Sequence, residues 1–302
     1  MLFSILIANY NNGRFFKDCY QSIIAQTYAN WEVIIVDDGS TDDSVTIIRD
    51  LIKNNNKFKL LLNSQNKGCG YTKHRCATLA CGEVLGYLDP DDALMPDALE
   101  VMMEAHNSNK DTAIITSKYE FVDLEMNFTE QGVCGGNIPI GKSYLTYGKG
   151  ILTAFATFKK NKYDVSGGID QIMKRAVDQD LYYKLEEQGG HVFINKVLYR
   201  YRVHQNSISN NENLYKAQYW HFYAKLNAYK RRKKKQIKID NFSNKQIREY
   251  ASNYYLKRFE NIKFSKRKCS QYYFLFKAIA ANPLHKFEFK AKSLVVLILG
   301  RI

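Results

Sequence analysis

The chain lacks several features that would place it at once. No basic stretch leading into a secretory apolar core opens it, so no signal peptide is expected. The longest late apolar run, Leu294 to Leu299, falls far short of the roughly 20 residues of a spanning helix. The six cysteines (Cys19, Cys69, Cys76, Cys81, Cys134, Cys269) show no paired zinc spacing. Without a secretion signal they read as reduced thiols of the cytosol, where the sequons at Asn127 and Asn241 carry little meaning. There is no internal repeat. Acid is scarce in the last third: residues 201–302 hold 5 Asp/Glu against 23 Lys/Arg, whereas residues 1–200 hold 25 against 21. The first part therefore reads as an enzyme body and the second as a surface for something anionic.

A chain of 302 residues, 45% apolar, can bury a full core. Apolar strands are expected at residues 3–8, 31–36, 58–62, 84–88 and 113–116, with helical spacing between them. This alternation predicts a mainly parallel α/β sheet with helices on both faces. Ser40 or Thr41 is expected to cap the second helix, with Asp42 and Asp43 in its first turn, and Pro96 to open the helix carrying Leu99, Met102 and Met103. Residues 125–170 are Gly-rich and show no clear period. A helix is expected over 175–188, then short strands at 192–194 and 197–201. Beyond about residue 212 the pattern is helical, rich in Tyr, Phe, Lys and Arg.

Two of these strands end in carboxylates, at Asp37-Asp38-Gly39-Ser40 and Asp89-Pro90-Asp91-Asp92. In open α/β sheets ligands bind beyond the carboxyl ends of the strands. Two acidic clusters in one crevice suit a divalent metal carrying a phosphorylated ligand, because hard oxygen donors favour Mg²⁺ or Mn²⁺. Asp91, and Asp89 directly or through water, are the metal candidates.

Four motifs in order carry a resemblance. Gln26-Thr27-Tyr28 leads into Val36-Asp37-Asp38-Gly39-Ser40-Thr41-Asp42. Asn66-Lys67-Gly68 is followed fourteen residues later by Gly82-Glu83. Leu88-Asp89-Pro90-Asp91-Asp92 comes next, and Asp178-Gln179-Asp180-Leu181 follows Gly167-Gly168-Ile169-Asp170. Over residues 1 to about 208 the chain resembles glycosyltransferase family 2. The resemblance implies a GT-A fold, a nucleotide-sugar donor, Mn²⁺ or Mg²⁺, and sugar transfer with inversion.

It also implies roles. Asp38 resembles the family's base-reading carboxylate, with Asp37 beside it; an acceptor there fits the ring N–H of uracil, thymine or guanine, hence a UDP-, dTDP- or GDP-sugar. Ala8 and Tyr10 match positions that line the nucleotide. Asp178 matches the general base that takes the acceptor's proton, while Asp180 orients the site or caps the helix. His204 matches a histidine that approaches the metal or diphosphate, and Arg202 is a phosphate contact. The chain departs from the common pattern at Lys73-His74-Arg75, where Arg-Asn is frequent. Lys73 or Arg75 either reaches the diphosphate or sits on a solvated helix face; His74 is structural.

The expected organisation is a catalytic domain over 1–211, its nucleotide-sugar half about 1–120 and its acceptor half about 121–211, with a helical basic region over 212–302. In that region aromatics interleave with Lys and Arg around the run Lys230–Lys235. This suits an anionic membrane surface better than nucleic acid, which the acidic crevice would repel. The apolar end, Leu294–Leu299, packs on the body, enters the interface or meets a second copy in a homo-oligomer. The expectation is a cytoplasmic enzyme, peripheral at the inner face of the membrane, using a saccharide or lipid-linked acceptor in surface polysaccharide synthesis. The alternatives are a metal-dependent nucleotidyltransferase and a nucleic-acid-binding protein led by the basic arm.

Overall fold

The computed structural model describes residues 1–148, 150–204, 214–237 and 244–299. Contacts divide the chain into Met1–Ser207 and Ile208–Ile302; the expected boundary at 211 lies outside the described residues.

The first unit is α/β. Strands β1 (Phe3–Asn9), β2 (Trp31–Asp37), β3 (Phe58–Leu62) and β4 (Val84–Tyr87) lie in the order β3-β2-β1-β4, all parallel. Helices α1 (Phe16–Ile24) and α2 (Ser44–Ile52) make the crossovers that step from β1 out to β3. Helix α3 (Cys69–Leu79) returns from β3 past β1 to β4. Right-handed crossovers running in opposite directions put α3 on the other face from α1 and α2. The ends of β1 and β4 therefore form a switch point open to a ligand. β1 and β2 are buried almost throughout, which is why each reads as an unbroken apolar run.

Past β4 come β5 (Ala93–Leu94), α4 (Ala98–Ser108), β6 (Thr112–Val122) and β7 (Phe128–Gln131), then α5 (Tyr144–Tyr147), β8 (Thr157–Lys159), α6 (Lys160–Ser166), α7 (Val177–Glu186) and β9 (Gly190–Arg202). β8 pairs antiparallel with both β4 and β6. β9 runs parallel to β6, and β5 and β7 join antiparallel.

Three local expectations are corrected. The two short strands expected at 192–194 and 197–201 are the single strand β9, whose register slips between Ile194 and Val197 so that polar Asn195-Lys196 form a bulge. Ser40 does not cap α2, which begins at Ser44; its hydroxyl donates to Asp37 and accepts from the Asn11 N–H. Pro96 lies before α4, whose cap residue is Asp97, and its carbonyl accepts from the Thr27 N–H at 2.9 Å.

The second unit holds α8 (Leu214–Lys234), α9 (Asn244–Ile262), α10 (Lys268–Ala281) and α11 (Phe287–Leu299). Leu256, Phe259, Leu275 and Ala278 form its core, against which Phe289, Leu294 and Leu297 pack. The Leu294–Leu299 segment is thus divided: Leu294 and Leu297 face the core, Val295, Ile298 and Leu299 face out. The Lys230–Lys235 run is divided too. Lys230, Lys233, Lys234 and Lys235 are exposed, whereas Arg231 is half-buried and Arg232 is buried. Among the described residues, no helix is long and apolar enough to cross a membrane.

Candidate active site

β2 and β4 flank β1, so at about 4.8 Å per strand their carboxyl ends lie about 10 Å apart. At the β2 end Asp37 is buried and acts as a staple. Its carboxylate accepts from Asn9 Nδ2 (2.7 Å), the Ser40 N–H (2.8 Å) and Ser40 Oγ (2.5 Å). Asp38, 3% exposed, accepts from Asn63 Nδ2 (2.7 Å) and from the backbone N–H groups of Lys67 and Gly68 (2.8 Å each). It therefore pins the 65–68 loop over the end of β2. Gly39, at φ +70°, makes this approach possible, since a Cβ there would meet Asn66 N at 2.9 Å. Ala8 lies on β1 opposite Val36, and Tyr10 is an exposed ring in the loop after it.

At the β4 end the three acids have different neighbours. Asp92 is buried and belongs to the framework. Its carboxylate accepts from Tyr199 Oη (2.6 Å) and the Arg202 N–H (2.9 Å), so β9 clamps the acidic loop. Burial, then Asp91 and Asp89, push the Asp92 carboxyl well above the carboxylate range. Asp91 Oδ2 lies 2.9 Å from His204 Nε2, within hydrogen-bond distance. Burial and the neighbouring Asp89 raise its pKa, and the histidine contact opposes them. Asp89 is the open one, 46% exposed, and pairs with Lys73 Nζ at 3.0 Å.

Lys73 and Arg75 are separated by the pitch of α3. Lys73 lies over the Tyr87 ring and faces Asp89. Burial disfavours its charge, but Asp89, Cys69 and Asp178 more than reverse this and raise its pKa. Arg75 points the other way and donates to the Leu62 carbonyl (3.0 Å) and to Asn63 Oδ1. That contact holds Asn63, and through it Asp38, and keeps the guanidinium from the β4 end; the expectation of a diphosphate contact at Arg75 is corrected accordingly.

Arg202 is corrected likewise. Its side chain is 2% exposed, and its donors go to Asp18 Oδ2 (2.6 Å), the Asp91 carbonyl (2.8 Å) and the Leu124 carbonyl. The guanidinium lies over Phe15, 4.9 Å from the ring centroid, and Phe15 also packs on His204. It supports the acidic loop from behind and has no open face for phosphate.

Asp178 is exposed in the first turn of α7. Its placement follows from Gly70, where a Cβ would meet the Met173 carbonyl at 2.4 Å and whose N–H donates to that carbonyl. This contact seats the loop before α7 on the start of α3, bringing Asp178 close enough to Lys73 and Cys69 to raise both their pKa values. Asp180 is buried and pairs with Lys184 at 2.6 Å, whose Nζ also donates to the Gly168 carbonyl. The structure thus gathers Asp89, Asp91, His204, Lys73 and Asp178, and leaves Arg75 and Arg202 as supports. Sequence reasoning missed Asn9, Asn63, Tyr199 and Asp18, whose partners lie 25 or more residues away.

The donor set at the β4 end fits a divalent cation. Two crowded carboxylates and an imidazole supply hard and borderline donors, and burial together with Asp89 raises the cost of ionising Asp91. Among the described residues no three acidic, His or Cys side chains form a closed metal cage. Mg²⁺-type sites take one or two carboxylates and complete the shell with water and substrate phosphates.

Residues 4–180 match the family described as Glycosyl transferase family 2. The chain belongs to this family. It is 31% identical over 208 residues to chondroitin synthase of Escherichia coli, an alignment that takes in 69% of this chain but only 30% of that protein's length. Among solved structures it resembles S. aureus TarS 1–349 in complex with UDP-GlcNAc, with a TM-score of 0.64 at 17% identity, over 93% of this chain and 81% of that one. It also resembles a Pyrobaculum calidifontis mannosyltransferase in complex with GDP-Man and Mn²⁺, with a TM-score of 0.57 at 12% identity, over 98% and 86%. At these identities the likeness is one of fold, which is GT-A.

Proposed function

We propose that this glycosyltransferase moves a sugar from a nucleoside-diphosphate donor to a hydroxyl of a saccharide or lipid-linked saccharide, with inversion, in the building of a surface polysaccharide. The observation that carries the reading is the clamped acidic loop at the end of β4, with Lys73 and His204 on it and Asp178 on the helix facing it.

A carboxylate offers about four acceptor positions. Three of Asp38's are filled from within, leaving one for the ring N–H of a uracil, thymine or guanine base near Ala8 and Tyr10. Asp89, Asp91 and His204 would hold the Mn²⁺ or Mg²⁺. When bound, that ion neutralises charge on the departing diphosphate. Lys73 adds a fixed cation on the same side. Asp178 takes the proton of the acceptor hydroxyl as its oxygen bonds to the anomeric carbon; the bond to the diphosphate breaks on the opposite face, and the nucleotide leaves with its electron pair. Exposure of Asp178 leaves room for an acceptor to approach it. A thermal-shift panel of UDP-, dTDP- and GDP-sugars with Mn²⁺ tests the donor: ligand at 100 times its Kd adds about 2.7 kcal/mol of stability, and no shift with any donor counts against the reading.

The second unit is proposed to meet an anionic membrane surface at the cytoplasmic face. The exposed Lys230, Lys233, Lys234 and Lys235 support this, since each cation near such a surface contributes about 1 kcal/mol.

A further inference from the structure

A cavity of about 600 Å³ opens in the second unit, lined by Lys245, Arg248, Glu249, Asn282, Leu284, His285 and Lys286. Lys245 and Arg248 come from α9, and the other basic residues from the turn between α10 and α11. Three permanent cations thus face one carboxylate. Lys290, buried behind them, is satisfied within the fold, donating to Ser252 Oγ (2.7 Å) and to the Asn282 carbonyl (2.5 Å). His285 bonds Asn253 Oδ1 through Nε2 at 3.0 Å, which leaves Nδ1 for another partner. Burial, then Lys286, lower the His285 pKa, Glu249 works the other way, and Lys290 adds to the lowering. Lys245, Arg248 and Lys286 against the single Glu249 carboxylate leave net positive charge here.

The rim is apolar. Leu284 is 81% exposed and Phe287 62% exposed. From Phe287, the positions Ala291, Val295 and Ile298 follow at helical spacing along the outward side of α11, beside Glu288 and Lys292. At 1.5 Å per residue this stripe is about 16 Å long. A basic cavity continuous with an apolar stripe has the polarity of a phosphorylated lipid: charged head, hydrocarbon tail.

We propose that this cavity binds the phosphate of an anionic lipid, preferring a phosphomonoester, with the hydrocarbon lying along α11. The site goes beyond general attraction to a charged surface, because it selects a headgroup. His285, neutral when the cavity is empty, gains a proton beside the phosphate and becomes a further donor.

The test uses the full chain and vesicles of phosphatidylcholine containing phosphatidic acid or, at matched surface charge, phosphatidylserine. The expected result is tighter binding to phosphatidic acid. Removing two cations in Arg248→Gln/Lys286→Gln lowers that affinity about 30-fold, at about 1 kcal/mol per charge, and erases the preference. Phe287→Ser/Ile298→Ser weakens vesicle binding but leaves intact the upward shift of the His285 NMR titration caused by inorganic phosphate. Equal affinity for both vesicle types, or an Arg248/Lys286 variant that keeps the preference, overturns the site while leaving the membrane reading of the unit standing. A His285 shift with inorganic phosphate, but no tighter binding to phosphatidic acid vesicles than to pure phosphatidylcholine, overturns the lipid assignment in favour of a free phosphate ligand. Thermal unfolding at the wild-type temperature confirms that each variant is folded.

Discussion

Tyr199→Phe isolates the clamp on the acidic loop. The change removes one oxygen and nothing else: the ring is buried against Phe155, with centroids 6.1 Å apart, and opens no cavity. Burial, then Asp92 and Asp89, push the Tyr199 hydroxyl well above its usual pKa, so at neutral pH it is a donor. It donates to Asp92 Oδ2 at 2.6 Å, and Asp92 has the Arg202 N–H as its other partner. Leaving a buried acceptor without its donor costs about 1–3 kcal/mol. Its loss leaves the buried Asp92 carboxyl short of one donor and the Asp89 N–H without the Tyr199 oxygen 3.3 Å away, and for a unit of this size each kcal/mol lowers Tm by about 2–4 °C. Tm should therefore fall by about 4–8 °C. The Asp89–Asp92 loop, freed at one end, should also bind donor less tightly in Mn²⁺. In a double-mutant cycle with Asp92→Ala, the two changes should couple by about 1 kcal/mol or more, because each removes the same bond. An unchanged Tm with additive energies would refute the claim that this bond fixes the loop.

Other expectations follow from the same geometry. Asp178→Asn should keep donor affinity and lower kcat by about 10² or more; lost donor affinity at an unchanged kcat would make Asp178 a binding residue. Lys73→Gln should weaken diphosphate binding while leaving nucleoside binding alone, whereas Arg75→Gln should weaken both by loosening Asn63 and Asp38; isothermal titration of UDP against uridine separates them, and identical effects would contradict the opposite orientations of the two side chains. His106 is pushed down to about 3 by burial and Lys159, and His191 to about 4 by burial. Each takes up a proton near pH 6.5 when unfolded but resists it when folded, so its contribution is full above pH 6.5 and is lost as pH falls to about 3 for His106 and about 4 for His191. The advantage of wild type over His106→Gln in urea unfolding should shrink across that window by up to about 1.4 kcal/mol per pH unit; a constant difference would mean that His106 takes up its proton as readily in the fold as out of it.

The parts of this fold visible in the sequence are those where burial on both faces leaves an unbroken apolar run. β1, β2 and β4 are of that kind, and the acidic ends of β2 and β4 could be found because the crevice of such a sheet lies at its carboxyl edge; β3, at the sheet edge, is only partly buried. β8 and β7 are three and four residues long and antiparallel, too brief for a period to emerge from the Gly-rich segment. Asn195-Lys196 interrupt the apolar pattern of β9, and the structure absorbs them in a bulge.

Roles within the site were less legible than its location. Asp89, Asp91 and Asp92 are adjacent, and only their distant partners tell them apart. Tyr199 and Arg202, more than 100 residues on, make Asp92 a support. Arg202 looks like a phosphate ligand until Asp18, 184 residues earlier, takes its guanidinium. Lys73 and Arg75 are two residues apart, and the helix sends one to the acidic loop and the other to β3.

The most direct measurement of the central claim is calorimetric titration of UDP-, dTDP- and GDP-sugars, with Mn²⁺ and with chelator, into wild type and a folded Asp91→Asn variant. The account predicts that one donor binds wild type at least about tenfold tighter with Mn²⁺, a difference of about 1.4 kcal/mol, and that Asp91→Asn loses this metal-dependent gain. Full Mn²⁺-dependent affinity in the variant, or no binding of any donor to wild type, would contradict it.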